Sequence, residues 1–341
     1  IDLDNPLSIE SAIGLMRNKD FASFYEMLPA PENLAAKSAD GSFCHEITFS
    51  FRNHEPKKPA PQISRGLEPS DSKTPKRYPV LSEWIYARIY CAPKTADILL
   101  VQYFAAFLKQ LYQEEKIDNF FFIRYDDPHH HIRMRLHATS AATIPSVFRA
   151  FNDILERCVL SQLVIRFSFD SYEREILRYG GPKSIATAEK LFGLNSQTVL
   201  KSLSLLSSSK KNREDYRWQM ALMGMDAYLD VFLKEKEKSP FAKTFALGYL
   251  QEHVNDKNLK ASLGRLCRTH RETTEKLLNA TANHESLLEN ARKLFETEQR
   301  LIRPLIEDLN ILDTKQELTA TKQDICHSVL HMFCNRMFSA F

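Results

Sequence analysis

The densest chemistry in this sequence lies in one short run, Asp126-Asp-Pro-His-His-His-Ile-Arg-Met-Arg-Leu-His137. In an extended chain successive side chains face opposite ways. Ile132, Met134 and Leu136 then share an apolar face, and His129, His131, Arg133, Arg135 and His137 share the other. Five potentially cationic groups in a row repel one another and call for anionic partners, which guanidinium groups bind bidentately. A solvated edge-strand face, or ion pairs with the chain's own carboxylates, accounts for the same pattern. The three consecutive histidines make a poor metal site. Only His129 and His131 share a face, and no carboxylate or cysteine stands beside them at ligand spacing.

A second cluster is Ser171-Tyr-Glu-Arg-Glu-Ile-Leu-Arg-Tyr-Gly-Gly181. Helical spacing over Tyr172 to Tyr179 sets Glu175 and Arg178 on one side, i to i+3, where the plain reading is a surface ion pair. The Gly180-Gly181 turn that follows suits backbone lying close to a ligand. A third is the last helix, where His327, His331 and Asn335 recur every four residues and Asp324 precedes them by three. A polar stripe with a cap is its bland explanation. The H-x-x-x-H spacing suits zinc, but Ser328 occupies the position of the metalloprotease glutamate.

The elements that must position these groups read as follows. Strands are expected at Trp84–Tyr90, Asn119–Tyr125, His130–Leu136 and Leu163–Phe169, and helices at about Thr95–Glu115 and Ile144–Cys158. Phe120, Phe121 and Phe122 read as core. From Gly181 onward the pattern is mostly helical, with apolar stripes at Leu259, Leu263 and Leu266 and at Leu287, Leu288, Ala291 and Leu294. The fold class is α+β: a small mixed or antiparallel sheet in the first half of the main domain and a largely helical second half. Before it, a helical piece around Ser8 to Leu28 and a strand over Glu46 to Phe51 read as the tail of a preceding domain, residues 1–54. Six prolines in residues 55–79 mark a linker over about 55–78, and residues 79–341 form the main domain.

Composition narrows the field. Of 341 residues only 9 are Gly, and neither G-x-G-x-x-G nor G-x-x-x-x-G-K-[ST] occurs, which removes Rossmann and P-loop nucleotide chemistry. With 46 basic and 43 acidic residues the net charge is +3, too small to imply a nucleic-acid or membrane partner. Six scattered cysteines without C-x-x-C read as reduced thiols of a cytoplasmic protein. The longest apolar run, Ile98 to Leu108, is far short of the roughly 20 residues of a membrane helix. The opening Ile1 reads as the start of a fragment of something longer.

Four motifs occur in order: Phe121-Phe-Ile-Arg-Tyr-Asp-Asp-Pro through Arg133-Met-Arg-Leu136; Tyr172-Glu-Arg-Glu-Ile-Leu-Arg-Tyr-Gly-Gly181; Ala188-Glu-Lys-Leu-Phe192; and His331-Met-Phe-Cys-Asn-Arg336. Together with Ser82-Glu-Trp-Ile-Tyr86, this succession resembles the C-terminal domain of class I lantibiotic dehydratases and the related thiopeptide-type bacteriocin biosynthesis proteins. One departure is Asn195-Ser196, where the family usually carries Asp-Ser. The resemblance implies elimination of glutamate from glutamylated Ser or Thr of a ribosomally made precursor peptide, leaving dehydroalanine or dehydrobutyrine. It places the elimination residues on Arg133, Arg135, Glu175, Arg178 and His331. The arginines would clamp the glutamyl carboxylates, and Glu175 or His331 would serve as base. No complete metal constellation is visible in the sequence, and no metal or other cofactor is expected. The implied partners are the glutamylated peptide, a glutamylation domain in the same or another chain, glutamyl-tRNA only through that domain, and a cyclase or transporter complex. Two alternatives stay open: a pyridine-forming [4+2] cyclase of thiopeptide biosynthesis, and a non-catalytic module that binds the precursor peptide.

Overall fold

The computed structural model describes residues 74–209, 213–252, 259–279 and 285–338, with short stretches before residue 44. The chain divides into two units, Ile1–Pro59 and Ala60–Phe341. In the first, Ile9, Glu10, Ile13 and Met16 are helical, where a helix was expected. Strands β1 (Ala36–Ser38) and β2 (Gly41–Phe43) form an antiparallel hairpin there. The strand expected over Glu46 to Phe51 and most of the expected linker lie outside the described residues.

The second unit opens with β3 (Arg77–Tyr78) and β4 (Trp84–Tyr90). A long helix follows as α1 (Pro93–Ile98), a wider π-helical stretch (Leu99–Phe104) and α2 (Ala105–Gln113). Next come β5 (Ile117–Asp126), β6 (His130–Ala138), α3 (Ile144–Leu160), β7 (Arg166–Asp170) and β8 (Tyr172–Glu173). The rest is helical: α4 (Ile185–Ser208), α5 (Arg213–Phe232), α6 (Glu235–Glu252), α7 (Leu259–Thr269), α8 (Arg271–Leu278), α9 (Ser286–Thr314) and α10 (Lys322–Met337). This is the expected α+β order. Among the described residues no helix is long and apolar enough to cross a membrane.

Strands β5, β6, β4 and β7 form one sheet in that order, with every neighbouring pair antiparallel. Two strand–helix–strand crossings interleaved in this way give the split β-α-β arrangement of ferredoxin-like sheets. Ile85, Ala87 and Ile89 pair with Leu136, Met134 and Ile132, so all six point to one face, where they are fully buried. The burial of that face removes water from a continuous apolar layer, at roughly 1.5–3 kcal/mol per large side chain. The opposite face carries Trp84, Tyr86, Arg88 and Tyr90 against His137, Arg135, Arg133 and His131. The apolar stripe of α9 is buried at Leu288 and Ala291, whereas Leu266 of α7 is exposed.

Strand β5 is a sheet edge, and its outward backbone groups need partners once buried. Side chains from two helices supply them. Ser196 of α4 accepts from the Phe122 N–H at 3.3 Å. Asn335 of α10 both accepts from the Arg124 N–H and donates to its carbonyl, each at 2.8 Å. Arg336, only 1% exposed, donates through Nε to the Phe122 carbonyl at 2.7 Å. The close fit of α4 requires glycine at 193, where a Cβ would stand 1.8 Å from Asn119 Oδ1. The same C-terminal end of α10 is held in return: Arg124 and Arg217 donate to the carbonyls of Arg336 (3.0 Å) and Met337 (2.7 Å), and both arginines share Asp97. Burial alone would raise the Asp97 pKa, but the two guanidinium groups hold it below the ordinary carboxylate value.

Loss of the Asn335 amide strands two buried backbone groups, so Asn335→Ala should lower unfolding stability by about 2–4 kcal/mol. Ser196→Ala should cost only about 1 kcal/mol. Chemical denaturation of the three proteins checks the ranking.

Candidate functional site

Arg135 is the centre of the polar sheet face. Its guanidinium carbon lies 4.4 Å from the ring centre of Tyr86, 4.9 Å from that of Tyr172 and 5.1 Å from that of Phe121. The side chain is buried, and its Nε and Nη1 have no hydrogen-bond partner among the described residues. Burial lowers its pKa, against the pull of nearby Tyr172, Tyr86 and Glu175. A buried guanidinium with two idle donors is held ready for an anion. It lines a cavity of about 60 Å³ together with Tyr172, Glu175, Tyr179, Phe192, Met332 and Arg336. That volume suits a small group such as a carboxylate.

The cage is itself braced. The Tyr172 hydroxyl donates to Glu189 Oε1 at 2.9 Å, and Arg174 donates through Nε to the same oxygen at 2.8 Å. Burial pushes the Tyr172 pKa well above its ordinary value, with Glu189 adding to the effect. Tyr86 reaches Arg135 because the two are register partners on β4 and β6.

Glu175 and Arg178 meet as expected, with Arg178 Nη1 donating to Glu175 Oε2 at 2.9 Å. Their backbone differs from the expectation. Tyr172 and Glu173 belong to β8, paired with β3, and the segment then closes in turns with Gly181 N–H bonded to the Ile176 carbonyl at 2.8 Å. Pairing with β3 holds the start of the segment extended, and the left-handed Gly180 (φ 92°) and Gly181 (φ 102°) end it before a helix can propagate. A Cβ on either glycine would collide with Leu318, Thr319 or Ile325, so these residues serve the turn's packing on the approach to α10.

Arg178 Nε also donates to Ser328 on α10 at 3.2 Å. Ser328, His331 and Met332 lie within one arc of that helix, and Met332 lines the Arg135 cavity. His331 is half-buried between them in sequence. The polar stripe seen in the sequence thus divides its work. Asp324 closes a capping box with Thr321, Asn335 holds the β5 edge, and His331 sits on the arc that faces Arg178 and the cavity.

The remaining cationic positions separate. Arg133 lies over Tyr125 at 3.5 Å and donates through Nε to His131 Nε2 at 3.0 Å. That bond makes His131 the neutral Nδ1–H tautomer, which donates to the His129 carbonyl at 2.7 Å. His137 turns away to Asp118, at 2.5 Å, and packs on Trp84. It borders a larger cleft of about 500 Å³ with Tyr78, Glu83 and Lys190. The anionic partners expected along the whole face are therefore present at His137 and absent, among the described residues, at Arg135. No group of three metal-ligating side chains occurs among the described residues.

Beneath the cavity, Arg336 donates through Nη1 to Asn195 Oδ1 at 2.8 Å. Asn195 Nδ2 donates to the Tyr228 hydroxyl at 2.9 Å, which donates to Glu298 Oε1 at 2.5 Å. An amide in this place links a donor to an acceptor without carrying charge, so the nearest carboxylate stands one step further away. Burial lowers the Arg336 pKa to about 10 and raises that of Glu298 to about 7.

Two predictions follow from these groups. Between the ordinary carboxyl pKa of 4.5 and about 7 the unfolded chain releases the Glu298 proton while the folded chain keeps it. Stability from this group is therefore full below pH 4.5 and falls as pH rises to about 7, by on the order of 3 kcal/mol. In Glu298→Gln that fall should disappear from denaturation curves taken across the window. Arg135→Met, which removes an incompletely bonded buried charge, should unfold at the same or higher denaturant concentration than the parent.

Comparison with known proteins places these features in a family. Residues 84–341 match the family model described as lantibiotic biosynthesis dehydratase C-term. Nisin biosynthesis protein NisB of Lactococcus lactis subsp. lactis is 25% identical over 263 residues, which is 74% of this chain and 25% of NisB. The chain spans about a quarter of the length of the curated relatives it matches. Among solved structures, TsrL aligns with a TM-score of 0.55 at 14% identity, covering 76% of this chain and 89% of that one. The pyridine synthase TbtD from thiomuracin biosynthesis aligns at 0.50 and 14%, covering 75% and 92%. At this identity the two structures establish a shared fold.

Proposed function

The chain belongs to the lantibiotic biosynthesis dehydratase C-terminal family, and from that premise we propose that it eliminates glutamate from glutamylated Ser or Thr of a precursor peptide. The observation that carries this reading is Arg135, a buried guanidinium with two idle donors at a carboxylate-sized cavity. Elimination removes the α-proton to a base, forms the Cα–Cβ double bond and breaks the Cβ–O bond. Glutamate leaves with the bonding pair as a carboxylate. The step needs a base and a cation where the leaving charge develops.

Arg135 supplies that cation in a setting where low polarity strengthens it. Arg178, tied to Glu175 and Ser328, stands at the turn beside the cavity and takes the second carboxylate of the glutamyl group. Glu175 commits one oxygen to Arg178 and acts as its positioning residue. His331 moves the proton, since imidazole accepts and returns protons near neutral pH. Arg133, the remaining member of the set, stands two residues from Arg135 on the same face of β6 and steers the anionic substrate inward. By the same reading the other partners are a glutamylation domain, the glutamyl-tRNA it uses, and a biosynthetic complex in the cytoplasm.

Mass spectrometry of a synthetic peptide bearing a glutamyl-Ser ester, incubated with the chain, tests the proposal. Loss of glutamate with formation of dehydroalanine is the expected result. Arg135→Ala should slow that loss about 100-fold or more, leaving glutamylated peptide to accumulate. An ester that survives the parent protein, alongside conversion of a bis-dehydroalanine peptide to a pyridine, would replace this reading with the cycloaddition.

A further inference from the structure

The sheet face that carries Arg135 continues past it, and of that half the reaction proposed above uses Arg133 alone. On β4, Arg88 stands opposite Arg133, and Tyr90 stands opposite both His131 of β6 and Arg166 of β7. Arg88, Arg133 and Arg166 therefore share one face, in a diagonal that starts at Arg135 and crosses three strands. Arg88 and Arg133 are half-buried, and Arg166 is exposed. Among the described residues one carboxylate is paired to these three guanidinium groups, Asp170 on Arg88. Arg133 and Arg166 lie instead on rings, 3.5 Å from the centre of Tyr125 and 3.7 Å from that of Tyr90. A guanidinium flat on an aromatic ring is held in place while its N–H edge stays available for a carboxylate.

We propose that this diagonal, Arg133–Arg88–Arg166, is a second anion-recognising tract that binds an acidic stretch of the peptide flanking the residue being processed. The assignment of a peptide substrate rests on the function proposed above; the tract's preference for carboxylates rests on the sheet face itself. From Arg135 to Arg166 is four residues along the strands and two strands across. At about 3.3 Å per residue and 4.8 Å per strand this is roughly 16 Å. An extended peptide covers that span in about five residues, so the carboxylates the tract reads lie about five positions from the reacting Ser or Thr. Single-stranded RNA is the other polymer that uses arginine and aromatic rings, but it needs free ring faces for stacking. Here Tyr90 lies between Arg166 and the stacked ring of His131, at 4.8 Å, and Tyr125 is covered by Arg133.

Fluorescent peptides that carry a glutamyl-Ser ester and a pair of Glu residues about five positions to either side provide the test, against the same peptides with Gln at the pair. Expected is a preference of about tenfold in Kd for Glu over Gln on one side, shrinking as salt is raised. In Arg88→Gln/Arg166→Gln the ratio should fall to about one, and Arg166→Glu should shift the preference toward a Lys-bearing peptide, an outcome that misfolding does not produce. Equal binding of the Glu and Gln peptides by the parent protein would overturn the tract, as would a ratio unchanged in the double variant. Displacement of the acidic peptide by a tighter-binding RNA oligonucleotide would also overturn it. Elimination is followed in the same samples by mass. A Glu preference on an ester that is never eliminated keeps the tract and removes the lyase, whereas elimination without the preference does the reverse.

Discussion

The architecture turns on how the free edge of β5 is satisfied. A buried strand edge with unpaired N–H and C=O groups is expensive, and the usual remedy is another strand. Here the remedy is side chains: the hydroxyl of Ser196, the amide of Asn335 and the guanidinium of Arg336, from two helices far apart in sequence. An amide that accepts from and donates to the two backbone groups of one residue fixes a helix in both translation and rotation. The orientation of α10 toward the sheet follows from it, and so does the arc on which Ser328, His331 and Met332 approach the cavity. The site is a product of edge coverage as much as of its own residues.

The second organising fact is an imbalance of charge under burial. Arg336 and Arg135 are both enclosed beside one cavity, and their hydrogen bonding tells them apart: Arg336 finds a carbonyl and an amide oxygen, while Arg135 finds aromatic rings and leaves two donors idle. Ring quadrupoles steady a guanidinium without consuming its N–H groups. The structure thereby keeps one cation committed to folding and one in reserve. The brace of Tyr172 on Glu189 and Arg174 shows how much of the surrounding core is given to holding that cage still.

Strand β6 was legible because one-residue alternation of apolar and cationic groups from Ile132 to His137 has no helical equivalent. The same alternation brought Arg133 and Arg135 forward as anion ligands. The Glu175–Arg178 pair was legible as a pair but not as a backbone. A separation of three residues brings side chains together in a turn as well as in a helix, and the pairing of β8 with β3 depends on residues about a hundred positions upstream. Tyr86 was hidden for a related reason. Cross-strand register decides which ring stands over Arg135, and register is a tertiary quantity. Phe121, read as core, is buried as expected and also walls the cavity. Asn195 stood out as a departure, and its use as a neutral link between Arg336 and Tyr228 becomes visible only with α5 and α9 in place.

The coverage of β5 also has a timetable. Arg124 and the Asn335 that completes its hydrogen bonding are 211 residues apart. At about 5–20 residues per second a ribosome needs roughly 10–40 s to make that stretch. From the completion of β7 until α10 emerges, the nascent sheet has all its strands but lacks the cover that α10 gives its outer edge, a configuration prone to recruit a foreign strand. Chains cut short within α10 would carry that bare edge permanently, so truncation there makes an aggregation-prone species rather than a slightly shortened protein.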